Sequence, residues 1–301
     1  MAGAVRSALA QDGARLEVCV VDDGSSEPVV LPTDLATDPR VTLIRLAAPS
    51  GSAAARNAGL AATSADLVAF LDDDDVWLLG KLERQVAALR AGGPGTVMVA
   101  CGFEVWEGSR LVAAAVPPAG VNSGELLAHP CVWPSTVLVR RSAVEAAGGF
   151  DESLARAQDW DLWLRIADLG EIAVVPEVLV DRRWTPLPLT PARVARAQIA
   201  PRLEARLRHL PVRDAARLRA RRGCDDGVLL ARLGQRRQAA ATLVAAWRAW
   251  PRSRGPALGL ARVLAGERAW QHAARAAAPV RAALRRRPPR PPGRAPAWAG
   301  R

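Results

Sequence analysis

The sequence predicts an α/β fold with a mixed, mostly parallel sheet flanked by helices, followed by an all-helical region. Along residues 1–181, apolar runs of strand length alternate with helical patterns, as is typical of parallel strands joined by helices. The later runs 103–106 and 111–116 are separated by a short polar turn, which indicates a hairpin and therefore a mixed sheet. Beyond residue 191 the composition changes to Ala, Leu and Arg at helical spacing.

The apolar run 67–71 is the candidate central strand, and it ends abruptly in four carboxylates, Asp72 to Asp75. Ligands of open α/β sheets bind at the carboxyl ends of strands. Adjacent carboxylates repel one another, and a bound divalent cation relieves that repulsion. Oxygen ligands suit Mg²⁺ or Mn²⁺, which commonly share their coordination shell with substrate phosphates. The alternative is a solvated acidic turn that caps the helix starting at Leu78.

The remaining elements follow from apolar periodicity and turn residues. The predicted helices are 2–10, 53–62 with Ser52 as its cap, 123–128, 142–147 with Gly148-Gly149 at its end, and one that begins near Gln158. The other predicted strands are 16–21, 41–46, 96–101, 135–140, 172–175 and 178–180.

Two further groups of polar residues follow the predicted strands. Asp22 and Asp23 end the strand 16–21, where carboxylates can accept hydrogen bonds from a ribose or a base; a plain Asx turn is the alternative. Arg56 lies near a helix start, which suits a phosphate or base contact; the alternative is a surface arginine. Asp159 lies at another helix start, where the helix dipole favours its ionised form. His129 is expected to be structural.

Composition limits the class of protein. We expect neither a membrane span nor a secretory signal, because the sequence contains no apolar stretch of about 20 residues and no charged segment followed by an apolar one at its start. The four cysteines lack metal-ligand spacing, which is typical of a reduced cytoplasmic protein; they are Cys19, Cys101, Cys131 and Cys224.

Charge divides the chain in two. Residues 1–181 contain 13 Lys+Arg against 25 Asp+Glu, a net charge of −12, whereas residues 182–301 contain 28 Arg against 5 Asp+Glu, a net charge of +23. This asymmetry predicts regions with different roles. We expect three: a domain at 1–185, an Arg/Ala-rich helical extension at 186–284, and a disordered Pro/Arg tail at 285–301.

Four blocks together resemble the catalytic domain of glycosyltransferase family 2, which has the nucleotide-sugar-binding GT-A fold. In order they are VCVVDDGSS (18–26), SAAARNAGL (52–60), LVAFLDDDDVWLLGKLERQV (67–86) and VRRSAVEAAGGFDESLARAQDWDLWLRIADLG (139–170). The resemblance covers about residues 2–185. It implies a nucleotide-sugar donor, a glycan or lipid-linked acceptor, and a role in building a cell-surface polysaccharide or glycolipid.

The resemblance also implies roles for single residues. Asp22 and Asp23 match the acidic pair that binds the nucleoside, and Arg56 matches an arginine beside the nucleotide. The run containing Asp72, Asp73 and Asp74 matches the Asp-x-Asp motif, with Asp74 as the ligand of Mn²⁺ or Mg²⁺. Asp159 matches the catalytic base. One base opposite one metal implies single in-line displacement with inversion.

Three features depart from the family pattern. The family's first strand, which helps to hold the nucleotide, is missing, so the start codon is assigned too late or the chain is truncated. Gln158 replaces the Glu of the family's Glu-Asp pair. Arg182-Arg183-Trp184 partly matches a motif of processive polysaccharide synthases. We interpret this match as coincidental and favour transfer of a single sugar.

Two alternative functions remain open at the level of sequence. The first is a truncated or degenerate domain that acts as a non-catalytic binding module. The second is nucleic-acid binding by the basic extension, whose positive charge is typical of nucleic-acid-binding proteins; it has no base-stacking motif, so nucleic acid is not the expected partner. Peripheral contact with the inner face of a membrane is a further hypothesis for this extension. A solvated helical surface is its simplest interpretation.

Overall fold

The computed structural model describes residues 1–128, 130–183 and 189–266. These residues form two compact units, the first of residues 1–126 and 130–183, the second of 127–128 and 189–266. His129, Trp184 and the predicted tail 285–301 lie outside the described residues. Across the described part of the chain, none of the helices has the length and apolar character needed to cross a membrane.

The first unit alternates strands and helices, as the sequence predicts. Its helices are α1 (Ala2–Leu9), α2 (Thr33–Ala36), α3 (Ser52–Ala61), α4 (Lys81–Ala91), α6 (Arg141–Ala146) and α7 (Gln158–Ile166), together with α5 (Ser123–Ala128), whose last two residues belong to the second unit. Its strands are β1 (Val18–Asp22), β2 (Val41–Arg45), β3 (Leu67–Val68), β4 (Val76–Trp77), β5 (Thr96–Glu107), β6 (Arg110–Ala115), β7 (Val137–Arg140) and β8 (Glu171–Arg183).

The strands form two sheets of mixed direction. Strands β1 and β2 pair in parallel as a two-stranded sheet. The larger sheet has the order β3-β7-β5-β8-β4, with β6 paired to β5 as the predicted hairpin. Its longest ladder, β5 with β8, is parallel, whereas the other pairs are antiparallel. The mixed α/β architecture predicted from the sequence is therefore confirmed.

The core of the first unit packs α1 and α4 against the larger sheet. Leu82, Val86 and Leu89 recur on one face of α4 and are buried with Val99 and Leu179 of β5 and β8. Because these positions follow the helical period, one apolar face of α4 meets the apolar face of the sheet. Leu67, Ala69 and Leu71, which lead into the acidic run, pack against the same core.

Four predicted details are wrong. The strand predicted as central, residues 67–71, is only Leu67–Val68 and lies at the edge of the larger sheet, where β7 pairs with these two residues alone. Pro176 does not split the last strand, because a register shift opposite Cys101 and Gly102 lets β8 continue past it. The helix expected from Leu78 begins at Lys81, after the left-handed Gly80.

The fourth correction concerns the start of α3. Gly51, not Ser52, is the N-cap, and its positive φ of 92° favours glycine. The Ser52 hydroxyl instead accepts a hydrogen bond from Gln158 Nε2 at 2.5 Å. Asp23 holds this loop, because its carboxylate accepts the backbone N–H groups of Ser50 and Gly51 at 2.7 and 2.8 Å.

Lys81 is completely buried beneath the larger sheet. Its Nζ donates to Gln85 Oε1 at 2.8 Å and lies 4.1 Å from the centre of the Trp77 ring. Burial lowers the pKa of this amine to about 8, because an apolar environment disfavours the charged form.

The stability of the fold should therefore rise with pH between about 8 and 10.5, the range between the folded and ordinary pKa of Lys81. Below that range both states are protonated, and the cost of burying the charge is fully present. Within it the unfolded chain binds the extra proton, so the free energy of unfolding increases by about 3 kcal/mol. The test is the free energy of unfolding by denaturant, measured at pH 7 and pH 10 for the original chain and for Lys81→Met. The prediction is wrong if the difference between the two proteins is the same at both pH values.

The second unit is a helical array. It contains α8 (Leu189–Leu207), α9 (Val212–Arg232), α10 (Arg236–Ala249) and α11 (Arg254–Ala265). Leu243 of α10 is fully buried between α9 and α11. Gly227 and Gly259 allow this close approach, since an added Cβ would lie 2.5 and 2.6 Å from the Leu243 side chain.

Leu243→Ala should destabilise the second unit by about 2–5 kcal/mol, the usual cost of a cavity left by a buried leucine. Leu258→Ala on α11 is the matched control because that side chain is 57% exposed, and its effect should be under about 0.5 kcal/mol. Urea unfolding followed by far-ultraviolet circular dichroism measures both. Equal losses for the two variants would show that Leu243 does not hold these helices together.

Candidate functional site

The acidic run is held in a fixed conformation by a serine. The backbone N–H of Asp72 donates to Ser135 Oγ at 3.1 Å, and the same hydroxyl donates to Asp75 Oδ2 at 2.7 Å. Trp77 Nε1 also donates to the Ser135 carbonyl at 2.9 Å. Ser135 therefore ties both ends of the run to the segment that enters β7. The sequence offered no sign of this role.

The four carboxylates of the run have different environments. Asp73 is exposed, Asp72 and Asp74 are partly exposed, and Asp75 is buried. Burial raises the pKa of Asp75 to about 6, although Arg182 opposes this shift. Burial, then the charges of Asp73 and Asp72, raise the pKa of Asp74. A second positive charge in this cluster would thus be favourable.

Arg182 lies beside this cluster, although sequence analysis treated its motif as a coincidental match. Its Nε donates to Asp75 Oδ2 at 3.3 Å. Its guanidinium lies 4.3 Å from the centre of the Trp133 ring and 5.5 Å from that of Phe103. These aromatic contacts fix a cation next to the carboxylates. The partial match of the Arg-Arg-Trp segment was the feature of the sequence that could have identified Arg182 as a site residue.

The structure brings together three residues that were predicted to belong to one site, namely Arg56, Asp72 and Asp159. Arg56 Nη2 donates to Asp72 Oδ1 at 2.8 Å, and its side chain is only 17% exposed. Burial raises the pKa of Asp159, whereas the charge of Arg56 lowers it and that of Asp72 raises it. The three charged groups therefore interact electrostatically, although they come from α3, the acidic run and α7.

Asp22 and Asp23 are both engaged by the protein itself. Asp22 is buried and accepts the backbone N–H groups of Ser25 and Val29 and a guanidinium N–H of Arg45, at 2.9 to 3.1 Å. These bonds, with that from Ser25 first, lower the pKa of Asp22 to about 2. In this conformation both carboxylates shape the loop after β1. Their contact with a nucleoside stays a prediction.

The chemistry of the acidic run fits a hard divalent cation. Among the described residues, no three His, Cys, Asp or Glu side chains converge as a ready metal cage. Mg²⁺ and related ions usually take one or two carboxylates together with substrate phosphates. Asp74, partly exposed among like charges, suits such a shared site.

Comparison with known proteins shows which family the first part of the chain is similar to. The family model described as "Glycosyl transferase family 2" matches residues 1–147. The chain is 27% identical over 175 residues to the Escherichia coli UDP-Glc:alpha-D-GlcNAc-diphosphoundecaprenol beta-1,3-glucosyltransferase WfgD, covering 58% of this chain and 67% of that protein. It is 32% identical over 186 residues to the Rhizobium meliloti succinoglycan biosynthesis protein ExoO, covering 58% of this chain and 53% of that protein.

The fold is also similar to that of solved structures. The crystal structure of S. aureus TarS 1–349 in complex with UDP-GlcNAc superposes with a TM-score of 0.57 at 17% identity, covering 82% of this chain and 76% of that one. The predicted GT-A fold is therefore confirmed. Residues 1–147, just under half of the chain, thus match the model of glycosyltransferase family 2, and the similar protein WfgD is named as a glucosyltransferase.

Proposed function

We propose that the chain transfers one sugar from a nucleoside-diphosphate sugar to a hydroxyl acceptor, with inversion at the anomeric carbon. The observation that carries the proposal is the cluster of Arg56, Asp72 and Asp159, in which an ion pair adjoins a carboxylate of raised pKa. A cation beside the donor and a base beside the acceptor are what a single displacement requires. The match to the family model and the similar fold of a structure bound to UDP-GlcNAc support the donor class.

Asp159 is the proposed general base. An acceptor hydroxyl is a poor nucleophile at neutral pH, and a carboxylate within hydrogen-bond reach can take its proton as it attacks. Burial raises the pKa of Asp159, which makes it a stronger base than an exposed aspartate. The oxygen of the acceptor forms the new bond to the anomeric carbon while the bond to the diphosphate breaks. No second carboxylate nucleophile is needed, so the product is inverted.

The departing nucleoside diphosphate carries negative charge. Arg56 supplies a fixed positive charge on the donor side, held by Asp72 and by the Phe150 ring at 5.4 Å. Asp74, with Asp72 and Asp73 nearby, would hold Mn²⁺ or Mg²⁺. When bound, such an ion acts as a Lewis acid that stabilises the diphosphate oxygens.

The proposed acceptor is a lipid-linked or polymeric glycan. WfgD acts on a GlcNAc-diphosphoundecaprenol and ExoO takes part in succinoglycan biosynthesis, and both are proteins of which this chain covers 67% and 53%. Lipid-linked acceptors would place the enzyme at the cytoplasmic face of a membrane. The Arg-rich second unit would then contact anionic lipids, although Glu204 and Asp226 already neutralise part of its charge.

Calorimetric titration with UDP, GDP and dTDP, each with and without Mn²⁺, tests the donor site. We expect one nucleotide to bind in a metal-dependent manner. Sugar release from the matching donor would then distinguish an enzyme from a non-catalytic binding module. If a folded sample binds none of the three nucleotides, the donor site proposed here is wrong.

A further inference from the structure

Asn57 of α3 binds a distant segment through its whole side-chain amide. Its Oδ1 accepts the backbone N–H of Phe150 at 2.9 Å, and its Nδ2 donates to the Phe150 carbonyl at 2.9 Å. The same Nδ2 donates to Glu152 Oε1 at 2.8 Å. Both amide hydrogens are thus used, and Phe150 is bonded at both its backbone groups. We call these three bonds the Asn57 clamp.

The segment before Phe150 is shaped to receive the clamp. Gly148 and Gly149 have φ values of +80° and +69°, in the left-handed region that favours glycine. A Cβ at Gly149 would lie 3.0 Å from Asn57 Oδ1, closer than side chains ordinarily approach. The turn after α6 therefore depends on two glycines that bring the Phe150 backbone within reach of Asn57.

The clamp fixes an aromatic ring at the junction of the catalytic elements. Phe150 is 3% exposed, and its ring centre lies 5.1 Å from that of Phe70 and 6.2 Å from that of Trp163. Phe70 comes two residues before Asp72. Trp163 lies one helical turn after Asp159 on α7.

The same ring also contacts the donor side, because the Arg56 guanidinium lies 5.4 Å from its centre. Phe150 thus touches the elements that carry Arg56, Asp72 and Asp159. A shift of this ring would change the spacing between the ion pair and the base. Close-packed interiors transmit such shifts, because they lack free volume to absorb them.

We propose that Asn57 is a positioning residue, which acts through Phe150 to set the distance of Asp159 from the Arg56–Asp72 pair. This inference rests on the proposed function. Asn57 itself does not touch substrate in this account. Its effect belongs to the chemical step, where a misplacement of about 1 Å can cost up to about 100-fold in rate, and not to nucleotide binding.

Asn57→Asp is the most direct test, because it keeps the shape of the side chain. The new carboxylate can still accept the Phe150 N–H, but it cannot donate to the Phe150 carbonyl and it repels Glu152. We expect kcat for release of UDP from UDP-glucose, with a short-chain GlcNAc-diphospho-lipid as acceptor, to fall about tenfold or more. The dissociation constant of UDP should change by less than about threefold, since Arg56 and Asp72 are unaltered.

A second substitution supplies the rescue. In Asn57→Asp combined with Glu152→Gln, the amide at position 152 can donate to the carboxylate at position 57, and the repulsion is removed. At least part of the lost kcat should return. Glu145→Gln is the matched control, because this exposed carboxylate lies on α6 and lines the same surface groove as Asn57 and Gly149 but takes no part in the clamp. Its kcat should equal that of the original chain.

Phe150→Leu keeps the test decisive if Asn57→Asp fails to fold. It preserves the backbone bonds of the clamp but removes the ring, so kcat should fall while UDP binding persists. The inference is overturned if Asn57→Asp folds and keeps its kcat within about twofold, if the Glu152→Gln substitution restores nothing, or if Phe150→Leu is fully active. An unaltered chain that releases no nucleotide from a UDP-, GDP- or dTDP-sugar would refute the proposed function itself, whereas an active chain with an equally active Asn57→Asp refutes only the clamp.

Discussion

Asp159→Asn should lower kcat for sugar transfer by about 10²–10⁴-fold, the usual contribution of a general base. The amide has nearly the shape of the carboxylate but cannot accept the proton of the acceptor hydroxyl. Nucleotide binding should persist, because Arg56 keeps its bond to Asp72 at 2.8 Å. Steady-state kinetics with a saturating donor, together with calorimetry for the nucleotide, measures the two quantities separately.

Asp161→Asn on the same helix is the control for this substitution. Asp161 is buried and binds Arg165 within α7. Its substitution should therefore lower the free energy of unfolding more than it lowers kcat. If Asp159→Asn keeps more than about a tenth of the original kcat, another group accepts the proton. If nucleotide affinity and kcat fall together, Asp159 supports the donor site instead.

Asp74→Ala should abolish the metal dependence of nucleotide binding. Burial and then the like charges around it raise the pKa of Asp74, and its loss removes the carboxylate best suited to share a divalent cation with the diphosphate. Residual binding should be that of the metal-free protein. The comparison is a pair of UDP titrations, with Mn²⁺ and with a chelator.

Asp66→Ala provides a matched carboxylate deletion at the other end of β3. This residue is exposed, and its backbone carbonyl accepts the N–H of Arg141. Its metal response should equal that of the original chain. A full Mn²⁺ effect in Asp74→Ala would mean that the cation binds through other residues or only through the nucleotide.

The sequence pattern was sufficient to predict those elements that depend on residues close in the sequence. The hairpin of β5 and β6, the helix α7 and the Gly148-Gly149 turn were all predicted, because each depends on neighbours in the sequence. The extent of β3 was not, because strand length depends on the partner, and β7 offers only two residue pairs. The path of β8 through Pro176 likewise depends on a register shift opposite β5.

The site likewise contains residues that the sequence predicted and residues that it did not. Arg56, Asp72 and Asp159 were predicted as members of one site from motifs, and the structure brings them together. Ser135 and Arg182 were missed, because their role depends on contacts with Asp75 across 60 and 107 residues. Sequence reveals a residue type and its neighbours, whereas these contacts are created by the packing of the larger sheet.

The most direct test of the account is the anomeric configuration of the product. The chain would be incubated with an α-linked UDP-sugar, Mn²⁺ and the GlcNAc-diphospho-lipid acceptor, and the new linkage would be assigned by proton NMR. A single displacement assisted by Asp159 predicts a β-linked product that is lost in Asp159→Asn. An α-linked product, or transfer that survives this substitution unchanged, would contradict it.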